Sequence, residues 1–289
     1  MTHIAFLGTG LLGAAMVEAA RKRGDDVTVW NRTIEKARAL EKTGARVAPT
    51  PAEAVRGATR VHLVLTDDAV VEKVIADLRP GLSPETIIID HSTTQPMLTA
   101  ERSKRLNADG VRYLHCPVFM GPAAAREQQG TVLAAGPRAL FDAVHADLAR
   151  IGARVEYFGE RPDLAAVYKL IGNAFVVGIN ALVADVFAIG AGAGVSSADA
   201  LKILDFFNPS GIISARGKKM VEKDYDPSWE LVMARKDVRL MIETADGNPL
   251  AALGGIAKRM DALIAEGRGS DDLAVIAKDS TRTQPMVRR

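Results

Sequence analysis

Through the first 160 residues, short apolar runs rich in β-branched residues alternate with stretches of helical spacing. Ile4 to Leu7, Val27 to Trp30, Val61 to Leu65 and Ile87 to Asp90 read as strands. Leu11 to Arg23 and Thr33 to Lys42 read as helices between them. Near-continuous apolar strands separated by helices predict a parallel sheet covered on both faces. Val111 to Tyr113, Thr131 to Ala135 and Arg154 to Phe158 continue the strand pattern. The expectation is a doubly wound α/β domain.

The pattern changes after Gly159-Glu160-Arg161-Pro162, and no convincing strand follows. Leu164 to Gly190 reads as one long helix, apolar on nearly all sides. Such a helix is expected to be buried between domains. Part of it, Ala174 to Gly194, resembles a membrane span in length, but Asn180 and Asp185 interrupt it and would be costly in lipid. Ser196 followed by Asp199 reads as an N-cap with an acidic third residue. Trp229 to Ala245, Leu250 to Glu266 and Asp271 to Asp279 read as helices, and Gln284 to Arg289 as a disordered end. The chain therefore divides into an α/β domain, residues 1–161, and an all-helical C-terminal domain, residues 162–289.

Composition narrows the function classes. The 289 residues suffice for two domains with sizeable cores. A formal net charge of +2 gives no electrostatic footprint for nucleic acid or a membrane surface. A single cysteine, Cys116, leaves no intrachain disulfide and fits a reducing, cytoplasmic setting. The strand-like start at Ile4 lacks the look of a signal peptide. No group of His, Cys, Asp and Glu has metal-ligand spacing, so no metal is expected.

Gly8-Thr9-Gly10-Leu11-Leu12-Gly13 is a G-x-G-x-x-G run between a strand and a helix. In that context it marks a dinucleotide-binding domain of Rossmann type. The first glycine permits the tight turn, the second lets a pyrophosphate approach the backbone, and the third lets helix and strand pack closely. The helix N-terminus offers free N–H groups and the positive end of its dipole to the phosphate. NAD-binding domains place an Asp or Glu at the end of the second strand for the ribose diol. Here the residues are Asn31-Arg32-Thr33. A guanidinium in place of a carboxylate suits a 2′-phosphate, with Asn31 and Thr33 as hydrogen-bonding partners. NADP(H) is therefore expected rather than NAD(H).

Further segments resemble the β-hydroxyacid dehydrogenase family, which includes 3-hydroxyisobutyrate dehydrogenases and tartronate semialdehyde reductases, over nearly the whole chain. Asp90-His91-Ser92-Thr93 resembles the family's acidic-x-Ser-Thr turn. Cys116-Pro117-Val118-Phe119-Met120-Gly121 resembles its Ala-Pro-Val-Ser-Gly-Gly substrate loop, and Gly130-Thr131-Val132 the Gly-Thr-Leu that follows. Lys169-Leu170-Ile171-Gly172-Asn173 resembles its Lys-x-x-x-Asn helix. Trp229 through Lys236-Asp237, and Gly267-Arg268-Gly269 with Asp272, resemble its C-terminal segments. The resemblance implies that Lys169 is the general acid/base and that Asn173 orients substrate or lysine. It places Ser92, Phe119, Met120 and Gly121 at the substrate. It places Thr93, Leu65, Thr66 and Lys236 at the cofactor. It further implies a small hydroxy acid, semialdehyde or keto acid as substrate.

Lys169 and Asn173 lie four residues apart in an apolar run, so they share one helix face. Partial desolvation there lowers a lysine pKa toward a value useful in proton transfer. On their own, Lys236-Asp237 read as a solvated ion pair, Asp185 as an inter-helix partner, Trp229 as core, and His91 and His115 as structural groups. The substrate loop departs from the family: the serine and first glycine are replaced by Phe119 and Met120. A hydroxyl is lost and two large apolar side chains appear. An imine reductase-like enzyme is the alternative, although such enzymes generally carry Asp or Tyr in place of the lysine. A non-catalytic NADPH-binding interaction protein is another. The apolar helical domain predicts a homodimer or homotetramer.

Overall fold

The computed structural model describes residues 3–281. Gln284 to Arg289 thus lie outside the described residues. The chain divides into two compact units, Met1–Asn173 and Ala174–Arg289.

In the first unit, strands β1 (His3–Leu7), β2 (Asp26–Trp30), β3 (Arg46–Val47), β4 (Arg60–Leu63), β5 (Ile87–Asp90) and β6 (Arg112–His115) form one sheet. The order is β3-β2-β1-β4-β5-β6, and every pair is parallel. Alternation along the strands fills both faces. Ile4, Phe6, Val27, Val29, Ile87 and Ile89 pack with Ala15 and Met16 of helix α1 (Leu11–Lys22). Ala5, Leu7, Val61, Leu63 and Ile88 pack with Val71 and Ile75 of α4 (Asp68–Leu78) and Leu106 of α5 (Pro96–Ala108). Short helices α2 (Ile34–Arg38) and α3 (Pro51–Val55) complete the covering. The strand order reverses beside β1, between β1 and β4, the place where doubly wound sheets bind ligands.

Two expected strands do not join that sheet. β8 (Thr131–Ala134) and β9 (Arg154–Tyr157) pair in parallel with each other, and β7 (Val118–Phe119) pairs antiparallel to β8. Pro117, which has no N–H to donate, ends the pairing that follows β6. Its carbonyl accepts from Leu133 N at 2.8 Å, which turns the chain into the second sheet. Helices α6 (Pro122–Arg126) and α7 (Arg138–Leu148) flank these strands.

Helix α8 (Leu164–Gly192) runs 29 residues, as its pattern predicts. The units part within it, after Asn173 rather than at residue 161, because its first turns belong to the α/β core. Ala165 is buried there with Leu133 and Ala135, against Phe119, Phe158 and Leu164.

The second unit contains the rest of α8 with α9 (Ser197–Leu201), α10 (Pro209–Glu222), α11 (Leu231–Thr244) and α12 (Leu253–Ala265). Leu231, Val238, Met260, Leu263 and Val275 form its core. Ser196 caps α9 by accepting from Asp199 N, as expected. Asp185, buried, accepts from Ala251, Ala252 and Leu253 N–H groups and so caps α12, whose own N-cap is an alanine. Helix α10 was not expected, since Gly211 and Gly217 weaken its helical signal; Asn208 initiates it by accepting from Ser210 and Gly211 N–H groups. Asp271 to Asp279 forms only a 3₁₀ turn, Leu273–Ala277.

Two burial expectations are overturned. Helix α8 is not enclosed by the chain: Phe175, Val176 and Val177 are exposed, Val177 by 69%. Trp229 is exposed as well, with the Arg216 guanidinium 5.8 Å from its ring centroid.

Candidate functional site

The glycine loop links β1 to α1. Gly8 adopts φ +99°, and a Cβ there would meet the Val64 carbonyl oxygen at 2.2 Å. A Cβ on Gly13 would meet the Gly8 carbonyl oxygen at 2.0 Å. Gly10 differs, because nothing lies within 4 Å of an added Cβ. That open side of the loop is where a pyrophosphate needs space. The N–H groups of Leu11, Leu12 and Gly13 stand in the first helical turn, where no intrahelical partner exists, and no side chain caps the helix. Thr9 Oγ1 is buried and has no hydrogen-bond partner among the described residues. These features fit a dinucleotide, whose phosphates would be held by the N–H groups and the Thr9 hydroxyl.

Asn31 braces this loop. Its Oδ1 accepts from Thr9 N at 3.0 Å, and its Nδ2 donates to the Thr33 carbonyl at 2.9 Å. Asn31 thus joins the glycine loop to the end of β2. Arg32 and Thr33 are exposed, and among the described residues Arg32 forms no ion pair. Thr33 sits at the N-cap of α2 but makes no side-chain cap bond, so its hydroxyl remains available. A cleft of about 290 Å³ beside the loop is lined by Thr9, Gly10, Leu11, Lys36 and Lys42 among others. Sequence reasoning passed over Lys36; a second cation one helical turn after Arg32 was the available signal.

The carboxyl ends of β4 and β5 carry the acidic-x-Ser-Thr turn. Ser92 is buried, and its Oγ accepts from Leu65 N at 3.0 Å, while its own N–H donates to Asp90 Oδ1 at 2.9 Å. Ser92 therefore ties the β4 and β5 ends together in this structure rather than presenting an open hydroxyl. Thr93 is exposed beside it. Thr66 donates to Asp67, the N-cap of α4. Asp90 also accepts from Tyr113 Oη at 2.7 Å, and Arg102 Nη1 lies 3.9 Å from it. Arg102 is fully buried and bonded to Asp68 and Glu72 at 2.6 and 2.9 Å. Neither Asp90 nor Arg102 was singled out as a site residue by the pattern.

His91 Nδ1 donates to the Cys116 carbonyl at 2.7 Å, and burial pushes its pKa down to about 4. A neutral ring that donates from Nδ1 accepts at Nε2, so His62 Nδ1 donates to it at 3.0 Å. Burial likewise lowers His62 and His115. All three rings are buried and hydrogen-bonded within the first unit.

The loop that follows β6 meets α8 through Phe119. Phe119, in β7, turns its ring onto α8, and Lys169 Nζ lies 4.4 Å from the ring centroid. Met120 turns the other way, against Gly130 and Gly152 and into the core. Like Phe119, it is only partly buried. Gly121 is exposed and N-caps α6, with open space around it. Lys169 is half-buried, has no carboxylate partner among the described residues, and is lowered from the usual lysine pKa by burial. Asn173 follows one turn later on the same face. Lys236 lies in the second unit, exposed and paired with Asp237 at 2.7 Å. Among the described residues, no cluster of His, Cys, Asp and Glu could hold a metal ion.

Residues 3–159, more than half of the chain, match the family described as the NAD binding domain of 6-phosphogluconate dehydrogenase. The chain belongs to the β-hydroxyacid dehydrogenase family. This β-hydroxyacid dehydrogenase relative is 29% identical over 256 residues to glyoxylate/succinic semialdehyde reductase 1 of Arabidopsis thaliana, covering 86% of this chain and 87% of that protein. It is 28% identical over 269 residues to cytokine-like nuclear factor N-PAC of Homo sapiens, covering 90% of this chain but only 48% of N-PAC. Among solved structures, a reductive aminase from Aspergillus terreus in complex with NADPH4 superposes with a TM-score of 0.86 at 23% identity, covering 96% of this chain and 99% of that one. An imine reductase from Pseudomonas sp. superposes with a TM-score of 0.85 at 22% identity, covering 96% and 98%. At these identities the structural likeness is one of fold.

Proposed function

We propose that this protein is an NADP(H)-dependent oxidoreductase that interconverts a small hydroxy acid and its semialdehyde or keto acid, with Lys169 as general acid/base. The observation that carries the reading is Lys169 itself: a half-buried ammonium with no carboxylate partner among the described residues, set against the loop that follows β6. When bound, the nicotinamide supplies or accepts the hydride. In reduction, Lys169 holds a proton on Nζ and gives it to the carbonyl oxygen; in oxidation, neutral Lys169 takes the alcohol proton. Asn173 offers its amide from the same helix face to orient substrate or lysine. Backbone N–H groups near Gly121 bind the substrate carboxylate, a task that the missing loop hydroxyl leaves to the main chain. The N–H groups of the first turn of α1 hold the pyrophosphate, and Arg32 with Thr33 holds the 2′-phosphate.

The name of the Arabidopsis relative, a semialdehyde reductase, supports the substrate class, and the NADPH in a second Aspergillus terreus reductive aminase structure supports the cofactor. An imine substrate is a second reading, favoured by an apolar Phe119 where a hydroxyl is expected and by the fold shared with imine reductases. N-PAC bears the name of a nuclear factor rather than an enzyme, so a binding-only role is the contrasting outcome. NADPH consumption over a panel of semialdehydes, keto acids and cyclic imines separates the three. Turnover of carbonyl acids, abolished in Lys169→Ala, supports the proposal; turnover of imines alone, or of nothing, overturns it.

We further place the protein in the cytoplasm as a homodimer or homotetramer, with neither nucleic acid nor membrane as partner. Helix α8 is long and apolar enough to cross a membrane. It also carries Lys169, Asn180 and the buried Asp185 cap, groups suited to a protein interface rather than to lipid.

A further inference from the structure

Phe119 stands where the family resemblance calls for serine, and its ring is held from two sides. Its outer edge fills the space over Gly172, where an added Cβ would come within 2.2 Å of Cζ and 2.6 Å of Cε1. Its face receives Lys169 Nζ at 4.4 Å from the centroid. Ala165, Lys169 and Gly172 follow one another at helical spacings of four and three, so they form a single stripe on α8. Ala165 anchors that stripe in the cluster of Leu133, Ala135, Phe158 and Phe119. The ring is thus keyed into α8, with glycine at position 172, where a side chain would collide with it.

This arrangement changes what a substrate meets beside the lysine. Serine would offer a hydroxyl to donate and accept. Phe119 offers C–H groups and a π face beside the ammonium, and the residue is only partly buried. The π face attracts the ammonium and restrains its position. A substrate hydroxyl pressed on the ring loses water without gaining a partner, whereas a hydrocarbon group gains contact.

We infer that Phe119 is the specificity-determining residue of this site: it positions the Lys169 ammonium and selects carbonyl substrates bearing a hydrocarbon substituent over those bearing a hydroxyl. The inference rests on Lys169 being the acid/base of the proposed function. 2-Oxobutanoate and 3-hydroxypyruvate form a test pair, since they differ by a methyl in place of a hydroxyl. Binding of each to the NADP-saturated full-length protein is measured by calorimetry, and kcat/KM by NADPH consumption. The wild type should favour 2-oxobutanoate by about 10- to 100-fold in both measurements. Phe119→Ser should bring the ratio close to one. Phe119→Leu should keep the preference in binding while lowering kcat, because the hydrocarbon wall stays and the π face goes. Gly172→Ala should lower kcat with both substrates, and should cost nothing further in the Phe119→Ser background, as contacting residues are non-additive. That double variant also settles the case in which Gly172→Ala alone folds poorly. Equal or reversed wild-type preference, a ratio unchanged in Phe119→Ser, or additive Gly172 and Phe119 effects would overturn the inference. A binding preference without any turnover would instead sink the reductase reading and leave the role of Phe119 in selection standing.

Discussion

Asn31 and Thr9 are joined by a 3.0 Å hydrogen bond from the Thr9 N–H to Asn31 Oδ1, and this bond braces the glycine loop from the end of β2. Asn31 is thereby separated in role from its neighbour Arg32. Asn31→Ala should weaken NADPH and NADH alike, by about fivefold, the worth of one ordinary hydrogen bond. Arg32→Ala should weaken NADPH by about 10- to 100-fold and leave NADH nearly unchanged, because only the 2′-phosphate is addressed. Fluorescence titration of each variant with both cofactors distinguishes the two patterns. A cofactor preference that survives Arg32→Ala would refute the 2′-phosphate assignment.

Lys169→Ala should lower turnover by about 100- to 10,000-fold while leaving cofactor affinity close to normal. Burial lowers the Lys169 pKa, and this fixes the direction of the pH dependence. Reduction needs the protonated lysine, so its rate should hold at low pH and fall as pH rises through a value below that of ordinary lysine. Oxidation needs the neutral form and should rise over the same range. Opposed limbs in wild type, with both lost in the variant, are the expected result of pH–rate profiles run in each direction.

Asp272 is the polar centre of the second unit. It is fully buried and accepts from Arg216 Nη1 at 2.8 Å, Ser228 N at 2.9 Å, Ser228 Oγ at 2.8 Å and Ala274 N at 2.9 Å. Burial alone would raise its pKa, but the hydrogen bonds from Ala274, Ser228 and Trp229 hold it well below the usual carboxylate range. A depressed folded-state pKa gives stability that is present above the unfolded value of about 3.9 and is lost as pH falls toward the folded one. Asp272→Asn should therefore cost about 3 kcal/mol at pH 7, as expected for breaking a buried ion pair. The gap in Tm between wild type and variant should narrow below about pH 3. A constant gap from pH 7 to pH 2.5 would contradict this account.

The proposed homo-oligomer is motivated by exposed apolar side chains on α8 and at Phe206. Phe175 is 52% exposed, Val177 69% and Phe206 80%. Patches of this kind on a folded chain mark association surfaces. Light scattering after size exclusion should give a dimer or tetramer, and Val177→Asp should shift it toward monomer. A monodisperse wild-type monomer would argue against the homo-oligomer.

The phosphate loop was legible in the sequence because its requirements are local. Gly8 needs a positive φ, Gly10 an open flank and Gly13 a close approach, and each need selects glycine at a fixed spacing in the chain. The strands β1, β2, β4 and β5 were equally legible, since a strand buried on both faces is apolar throughout. The shared face of Lys169 and Asn173 followed from helical spacing alone. Other features depended on contacts distant in sequence. That Ser92 binds Leu65, that Asp185 caps α12, and that β8 pairs in a separate sheet all join segments which no local pattern relates. The opposite directions of Phe119 and Met120 belong to the same class. No strand was read from the chain over these residues, and Met120 lies just past the end of β7. Which of them meets Lys169 was decided only when β7 paired with β8 and when Gly172, 53 residues later, left room for one ring.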